Sequence, residues 1–183
     1  MPKFYTFEGL DGSGKTSLIT ALTPKLHSVS TYRDPGGCGA AEAIRTILKS
    51  HDNIPRSAQL SLFSAARDCL YREKLEFNLS DFVLIDRWID STLVYQYTSR
   101  SAIHGLASKL KIDKTFLLDT PVDVCMARCG GGDVFERADK RTWTDRRHRY
   151  LNLAREEPDR WIVMDGSKSK EELAEEALRV ICE

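Results

Sequence analysis

The stretch Gly9-Leu10-Asp11-Gly12-Ser13-Gly14-Lys15-Thr16 lies near the start of the chain and fits the pattern G-x-x-x-x-G-K-[ST]. This pattern is typical of a P-loop, whose backbone N–H groups point inward and form a nest for phosphate oxygens. Its three glycines have no Cβ atom, so the backbone can adopt positive φ angles and come close to a phosphate. A glycine-rich turn with a solvated lysine is the alternative, and the flanking sequence has to decide between the two.

The residues on either side of this stretch favour the P-loop. Lys3-Phe4-Tyr5-Thr6-Phe7 carries aromatic and β-branched side chains in the alternating pattern of a β-strand. Residues 16–22 carry apolar side chains at helical spacing. A strand, a loop and a helix therefore follow one another in the required order, and the helix adds its positive N-terminal end to the phosphate site. We expect Lys15 to reach the β- and γ-phosphates of a nucleotide and the Thr16 hydroxyl to ligate Mg²⁺.

The length and charge of the chain restrict its class and its partners. It has 183 residues, which suits a single domain over residues 1–183. Lys and Arg together number 27, as do Asp and Glu, so the formal net charge is zero and nothing resembles the basic footprint of a general nucleic-acid binder. The N-terminal residues lack the apolar core of a signal peptide, and no apolar run approaches membrane-spanning length. We therefore expect neither nucleic acid nor a membrane as a partner.

The cysteines indicate a reducing compartment. The five of them are scattered along the chain at positions 38, 69, 125, 129 and 182. An odd number at irregular spacing is typical of free thiols, and this favours a cytoplasmic protein. A structural zinc site made of Cys125, Cys129 and His148 is the alternative, but the sequence has no second close pair of ligands to complete it.

Strand and helix patterns alternate along the whole chain. Besides the strand at 3–7, strands are predicted at 27–32, 82–86, 114–119 and 161–164. Besides the helix at 16–22, helices are predicted at 40–49, 57–77 and 91–110, from Pro121 to the glycines at 130–132, at 141–155 and at 169–181. This alternation predicts an α/β fold of three layers (α/β/α), in which helices flank a five-stranded parallel sheet.

Polar residues end several of the predicted strands. These residues are Glu8, Arg33, Asp86, Arg87 and Asp119. Ligands of such folds bind at the carboxyl ends of the strands, so we expect the P-loop, Arg33 and the Asp86-Arg87 pair to share one rim. Asp86 resembles a Walker-B carboxylate that holds Mg²⁺ directly or through water, although it could instead cap the next helix. Arg87 can clamp a phosphate with its fork of donors, or form a surface salt bridge.

Six segments together make the chain resemble one family. They are Phe7-Glu8-Gly9-Leu10-Asp11-Gly12-Ser13-Gly14-Lys15-Thr16, Arg33-Asp34-Pro35-Gly36-Gly37, Phe63-Ser64-Ala65-Ala66-Arg67, residues 86–96 (DRWIDSTLVYQ), residues 115–119 (TFLLD) and residues 149–154 (RYLNLA). In this order, and over nearly the whole chain, they resemble the thymidylate kinase family of P-loop nucleoside monophosphate kinases. The combination of Phe-x-Ala-x-Arg with Asp-Arg…Ser-Thr-x-x-Tyr-Gln is far more selective than the P-loop alone.

The resemblance implies the P-loop kinase fold with a short lid at about residues 129–140. It also implies phosphorylation of dTMP to dTDP by ATP, with Mg²⁺ as cofactor, in the biosynthesis of deoxynucleotides and dTTP. ATP and dTMP are then the partners, and family resemblance suggests a homodimer. Two alternatives stay open: a kinase for another nucleotide or nucleoside, and a nucleotide-binding regulator that has lost turnover.

The resemblance assigns roles to residues of the acceptor site. Phe63 is expected to stack on the thymine ring while Arg67 contacts its edge. Positions i and i+4 share a helix face, which supports this independently, although Phe63 could also be a core residue. Arg45 matches the arginine that holds the acceptor monophosphate, the alternative being an exposed helix cation. Thr92 matches a position near the base, and Tyr95 matches the aromatic residue against the sugar.

The full set of expected site residues follows from the motifs and the resemblance. The ATP-binding residues are Gly9, Leu10, Asp11, Gly12, Ser13, Gly14, Lys15, Thr16 and Ser17. The substrate-binding residues are Asp34 (where the family usually has Glu), Arg45, Phe63, Arg67, Arg87, Ser91, Thr92, Tyr95 and Gln96. The metal ligands are Thr16, Asp86 and Asp11. The catalytic residues are Lys15, Arg87, Arg128 and Arg137.

Two departures from the family pattern concern the catalytic arginine. Gly12 stands where some members have a P-loop arginine, and Val134 stands where the others have a lid arginine. We expect a nearby arginine to take over this role. Arg128 is favoured because it ends the helix before the three glycines, followed by Arg137 and then Arg141.

Overall fold

The computed structural model describes residues 2–103, 105, 110–130, 132 and 135–183. The helix predicted over 91–110 and the lid predicted over 129–140 lie partly outside these residues, and Val134 lies outside them. None of the helices in the described part of the chain has both the length and the apolar character that a membrane-spanning helix needs.

The described strands form one parallel sheet, as predicted. They are β1 (Lys3–Glu8), β2 (Val29–Arg33), β3 (Phe82–Asp86), β4 (Lys114–Asp119) and β5 (Trp161–Asp165). Their order across the sheet is β2-β3-β1-β4-β5, and every neighbouring pair runs in parallel. The apolar runs of these strands are buried because parallel sheets are covered on both faces.

Helices cover both faces of this sheet. The described α-helices are α1 (Lys15–Leu22), α2 (Gly39–Ser50), α3 (Arg56–Leu70), α4 (Ile89–Tyr95), α5 (Val122–Arg128), α6 (Lys140–Glu156) and α7 (Lys170–Ile181). On one face α1 and α7 pack on a cluster that includes Phe7 and Leu84. On the other face α2 and α3 pack on the neighbouring strand positions, Val83 and Ile85, because successive side chains of a strand point to opposite faces. The three-layer α/β/α prediction is confirmed.

Two predicted helices are longer than the observed ones. The helix predicted over 57–77 ends at Leu70 and continues as one wider turn at Tyr71–Leu75. The prediction over 91–110 was wrong, because α4 ends at Tyr95 and only a short 3₁₀ turn at Arg100–Ala102 follows within the described residues. The backbone of Tyr97 has a φ angle of +47°, which a continuing α-helix does not allow. Residues 97–103 therefore do not continue α4.

The strand register brings the polar strand ends to one edge of the sheet. Phe7 of β1 and Arg33 of β2 both lie beside Asp86 of β3. Because all of these strands run in parallel, the residues that follow them meet at the same edge. Glu8, the P-loop and Arg87 therefore lie next to one another in space.

Candidate active site

The backbone of the P-loop needs its glycines. Gly9, Gly12 and Gly14 have φ angles of 139°, 71° and 103°, which side-chain-bearing residues rarely adopt. A Cβ atom on Gly12 would lie 2.5 Å from the carbonyl oxygen of Cys125 in α5, and one on Gly9 would lie 2.8 Å from that of Leu118. The packing of α5 on the loop therefore explains why no arginine occupies position 12.

The side chain of Lys15 folds back onto the P-loop. Its Nζ donates to the carbonyl oxygen of Leu10 at 2.7 Å, and to Gly9 O and Ser13 Oγ at 3.3 Å each. The residue is only 6% exposed, and burial lowers its pKa. Each of these acceptors can be exchanged for a phosphate oxygen, so the ammonium group is already held at the place where the nucleotide phosphates would lie.

The hydroxyl and carboxylate oxygens beside the loop suit Mg²⁺. Thr16 Oγ1 donates to Asp86 Oδ2 at 2.6 Å, and Asp11 lines the same cleft. Within the described ranges, no group of three or more His, Cys, Asp or Glu side chains could hold a metal ion. Mg²⁺ usually binds through one or two carboxylates together with substrate phosphates, so these three residues fit it.

Arg87 is at the centre of a polar network and not on the surface. It has a φ angle of +69°, and its Nη2 donates to Asp11 Oδ1 at 2.6 Å. Its Nη1 donates to Gly9 O and Ser91 Oγ, at 3.0 Å each. Burial alone would lower the pKa of Arg87, but the Asp11 carboxylate raises it well above its usual value. Burial also disfavours the charged form of Asp11, but the positive charges of Arg87 and Lys15 hold the pKa of Asp11 well below its usual range. Both groups therefore stay charged.

A buried ion pair forms the floor of a second pocket. Arg67 Nε and Nη2 lie 2.8 and 2.6 Å from Asp34 Oδ2, and each residue is only 2% exposed. Arg67 Nη2 also donates to Thr92 Oγ1 at 2.8 Å. Burial raises the pKa of Asp34, although the positive charge of Arg67 acts to lower it. Asp34 Oδ1 has no hydrogen-bond partner among the described residues. The aspartate that replaces the usual glutamate therefore fixes the orientation of Arg67.

Aromatic rings form the walls of this second pocket. Tyr95 donates its hydroxyl to Asp11 Oδ2 at 2.7 Å, and the ring of Phe63 is buried beside the pocket. Ser91, Thr92 and Gln96 also line it. The pocket has a volume of about 80 Å³, and the P-loop cleft next to it has about 1200 Å³. Both spaces are lined by the same four charged residues, Asp11, Asp34, Arg45 and Arg87.

Arg45 lies between the two spaces. Its Nη1 donates to the carbonyl oxygen of Pro35 at 2.9 Å, and burial lowers its pKa. The alternative of an exposed helix cation therefore does not describe it. A cation that faces both the cleft and the second pocket is placed to hold a phosphate at their junction.

The three candidate lid arginines lie in different surroundings. Arg128 lines the large cleft, and its Nη1 donates to Gly12 O at 3.2 Å. Arg137 is exposed, lines neither space and faces Asp52 at 3.3 Å. Arg141 is exposed on α6 and lines neither space. Of the three, Arg128 is the one beside the P-loop.

Comparisons with known proteins identify the family of this chain. A model of the family described as thymidylate kinase matches residues 7–177. The chain therefore belongs to the thymidylate kinase family. The thymidylate kinase of Oenococcus oeni is 37% identical over 98% of this chain and 95% of its own length. That of Pelobacter propionicus is 36% identical over 96% and 91%. The crystal structure of thymidylate kinase from Ehrlichia chaffeensis superposes with a TM-score of 0.81 at 26% identity, over 98% of both chains.

These comparisons confirm the family, the phosphotransferase class and the P-loop kinase fold that the motifs predicted. They cover the chain almost from end to end, so membership in the thymidylate kinase family does not depend on the P-loop alone. The roles of individual residues stay predictions, which the geometry of the two pockets makes specific.

The sequence motifs gave no role to Glu8 and Tyr150. Glu8 accepts hydrogen bonds from Trp88 N at 2.8 Å, Ser91 Oγ at 2.6 Å and Tyr150 Oη at 3.1 Å. Burial raises the pKa of Glu8 to about 7, although these hydrogen bonds favour its charged form. Glu8 thereby connects the end of β1 to the start of α4, next to Arg87. A carboxylate directly before the first glycine of the P-loop was the available signal.

Phe135 and Arg146 were missed as well. Phe135 lines the second pocket, and Arg146 donates from Nη1 to its carbonyl oxygen at 2.8 Å. The Arg146 guanidinium lies 4.4 Å from the centre of the Tyr95 ring. Arg146 and Tyr150 are four residues apart on α6 and share a face, which was the only sequence signal for Arg146.

Proposed function

We propose that this protein transfers the γ-phosphoryl group of ATP to dTMP and produces dTDP for deoxynucleotide biosynthesis. One observation carries the proposal: the P-loop cleft and the pocket of Phe63 and Arg67 meet at Asp11 and Arg87. A phosphate donor in the cleft and a nucleotide in the pocket would therefore face each other across two charged side chains. This is the arrangement that in-line transfer between two bound nucleotides requires.

The donor side acts through positioning and charge. The P-loop N–H groups and the adjacent N-terminus of α1 bind the phosphates of ATP. Lys15 exchanges its loop carbonyl partners for β- and γ-phosphate oxygens. Thr16, Asp86 and Asp11 would hold Mg²⁺ together with those phosphates, and the ion would neutralise part of their negative charge. Little covalent chemistry is asked of the protein itself.

The acceptor side orients dTMP. Arg45 and Arg87 hold the acceptor phosphate, whose oxygen attacks the γ-phosphorus in line. Phe63 stacks on the base, and Arg67 donates to its edge from a position fixed by Asp34 and Thr92. Further contacts to the nucleoside come from Ser91, Tyr95 and Gln96, which line the same pocket.

Arg128 covers the transferring group. Negative charge spreads over the γ-phosphoryl oxygens in the transition state, and an arginine beside the P-loop stabilises it. Arg128 already contacts the loop at Gly12 O and lines the cleft in which the phosphates would lie. Arg137 would first have to leave Asp52 and is therefore the second candidate.

A coupled assay of ADP release tests the proposed function. We expect ADP to form rapidly when ATP, Mg²⁺ and dTMP are present together, and only slowly when dTMP is left out. Competition among dTMP, dUMP, dCMP and AMP then identifies the preferred acceptor. Absence of turnover with every acceptor would favour the nucleotide-binding regulator, and preference for another acceptor would favour a different kinase.

We also propose that the chain acts as one domain over residues 1–183, assembles as a homodimer and works in the cytoplasm. The family resemblance supports the homodimer, and sedimentation at micromolar concentration tests it. The cysteines at positions 38, 69, 125, 129 and 182 are all free thiols, which supports a reducing compartment.

A further inference from the structure

We propose that Phe135 contacts the base of the acceptor nucleotide and thereby helps to select the acceptor. The inference deepens the proposed function and rests on it, because it takes dTMP as the acceptor. It concerns a residue that the sequence motifs did not single out.

Phe135 belongs to a corner of three aromatic rings. Its ring centre lies 6.2 Å from that of Phe63, with an interplanar angle of 54°. It lies 6.1 Å from that of Tyr95, with an angle of 76°. All three side chains line the second pocket. Tilted and edge-to-face pairs at these distances are favourable, so the three rings form one continuous apolar surface.

The pocket has to grow before it can hold a nucleoside. Its volume is about 80 Å³, whereas pockets for small molecules measure about 300–1,000 Å³. Four of its lining residues are held by polar contacts: Arg67 and Asp34 form a buried ion pair, and Tyr95 is hydrogen-bonded to Asp11. Phe135 lies outside the helices and strands, between α5 and α6. The pocket would widen at Phe135, and its ring would then pack on the base.

Arg146 keeps the backbone of Phe135 at the pocket while the ring moves. It donates to Phe135 O, and its guanidinium stacks on the Tyr95 ring. Arg146 is only 6% exposed, and its Nε has no hydrogen-bond partner among the described residues. Its polar contact is the Phe135 carbonyl oxygen, and its ring contact is Tyr95. Arg146 is thus a positioning residue for Phe135.

The test compares Phe135→Ala, Phe135→Tyr and Phe77→Ala. A contact between an aromatic ring and a base changes affinity by about 5- to 150-fold. We expect Phe135→Ala to raise the Kd for dTMP about 10-fold and to leave the Kd for ATP unchanged. Phe135→Tyr keeps the ring and should bind dTMP as the wild type does. Phe77 is 81% exposed and lies away from both cavities, so Phe77→Ala is the matched control.

An abasic ligand separates a base contact from a structural effect. The inhibition constant of 2-deoxyribose 5-phosphate should be the same for the wild type and for Phe135→Ala, since this compound has no base. A double-mutant cycle with Phe63→Ala should show a coupling of at least about 3-fold in dTMP binding, because both rings then contact the same base.

The outcomes distinguish the inference from the proposed function. If Phe63→Ala weakens dTMP binding while Phe135→Ala leaves it unchanged, the inference alone is overturned. Tighter dTMP binding by Phe135→Ala would also overturn it, because the ring would then be a plug that competes with the base. If Phe63→Ala leaves dTMP binding unchanged, the proposed acceptor site itself is wrong.

Discussion

The P-loop and the acceptor pocket meet at Asp11, but the P-loop consists mainly of backbone groups and the acceptor pocket of side chains. The P-loop consists of consecutive residues, and its phosphate site is made of backbone N–H groups and one lysine. The acceptor pocket is lined by side chains from the P-loop, the turn after β2, α2, α3, the β3–α4 region and the segment between α5 and α6. Arg67, for example, contacts Asp34 and Thr92 at sequence separations of 33 and 25 residues. A local site can be recognised as a motif, whereas a dispersed site depends on the fold that assembles it.

The two sites also differ in how their charges are balanced before a ligand binds. Lys15 is surrounded by loop oxygens that a phosphate can replace one by one. Arg67 is already paired with a buried carboxylate, and removal of one member of such a pair costs about 3–5 kcal/mol. We therefore expect Lys15 to exchange its partners when a phosphate binds, and Arg67 to keep Asp34 and to contact the base with its remaining donors.

Lys15→Ala tests whether the donor site is independent of the acceptor site. Loss of the β/γ-phosphate contact should lower kcat by about 10³-fold, which corresponds to roughly 4 kcal/mol. Calorimetric titration with dTMP should give an unchanged Kd, because Lys15 does not line the second pocket. Lys25→Ala, an exposed lysine on the turn after α1, is the control. Activity near that of the wild type would contradict the P-loop assignment.

Glu8→Gln tests the residue that joins the two sites. Burial raises the pKa of Glu8 from 4.5 to about 7, so the folded protein holds a proton that the unfolded chain releases at lower pH. The contribution of this proton to the free energy of unfolding is complete below about pH 4.5 and is lost as the pH rises through about 7. The difference between the two pKa values corresponds to about 3 kcal/mol.

The measurement for Glu8 is denaturant unfolding at several pH values. The stability of the wild type relative to Glu8→Gln should fall by up to about 3 kcal/mol between pH 4.5 and 8. Glu156→Gln, on the exposed end of α6, should show no such trend. A constant difference across this pH range would mean that Glu8 is ionised in the folded protein.

Arg128→Ala tests whether Arg128 stabilises the transferring phosphoryl group at the donor site. Arginines that stabilise the transferring phosphoryl group contribute about 10³- to 10⁵-fold in related systems. We expect kcat to fall at least about 100-fold at saturating ATP and dTMP with little change in KM, as for an interaction made only in the transition state. Arg137→Ala and Arg141→Ala are measured in parallel. If either of them loses more kcat than Arg128→Ala, then Arg128 is not the arginine that covers the γ-phosphoryl group.

Thr92→Val gives the smallest expected effect and is confined to the acceptor site. It removes the hydroxyl that accepts from Arg67 Nη2, and a hydrogen bond to a charged group contributes about 1.5–3 kcal/mol. We expect the KM for dTMP to rise about 10-fold, the KM for ATP to stay constant, and the preference for dTMP over dCMP to narrow. Thr92→Ser keeps the hydroxyl, so its KM for dTMP and its preference for dTMP over dCMP should match those of the wild type. An equal rise in both KM values would show that the two sites are not independent.

The sequence by itself determined the features that depend on neighbouring residues. The P-loop, the five strands and the polar strand ends at Asp86 and Arg87 follow from local patterns, because glycine conformations and side-chain alternation act over a few residues. The pairing of Phe63 with Arg67 also follows locally, since residues four apart share a helix face. These predictions needed no knowledge of how the chain folds back on itself.

The tertiary structure decided the contacts between distant segments. It placed Tyr150 on Glu8 across a separation of 142 residues, Thr16 on Asp86 across 70, and Phe135 against Phe63. It also placed Arg128, and not Arg137, beside the P-loop, because α5 packs on the loop at Gly12. Such contacts are fixed by the strand order and by helix packing across the sheet. The sequence could therefore identify the arginines and aromatic rings as candidates, but their positions relative to the P-loop came only from the fold.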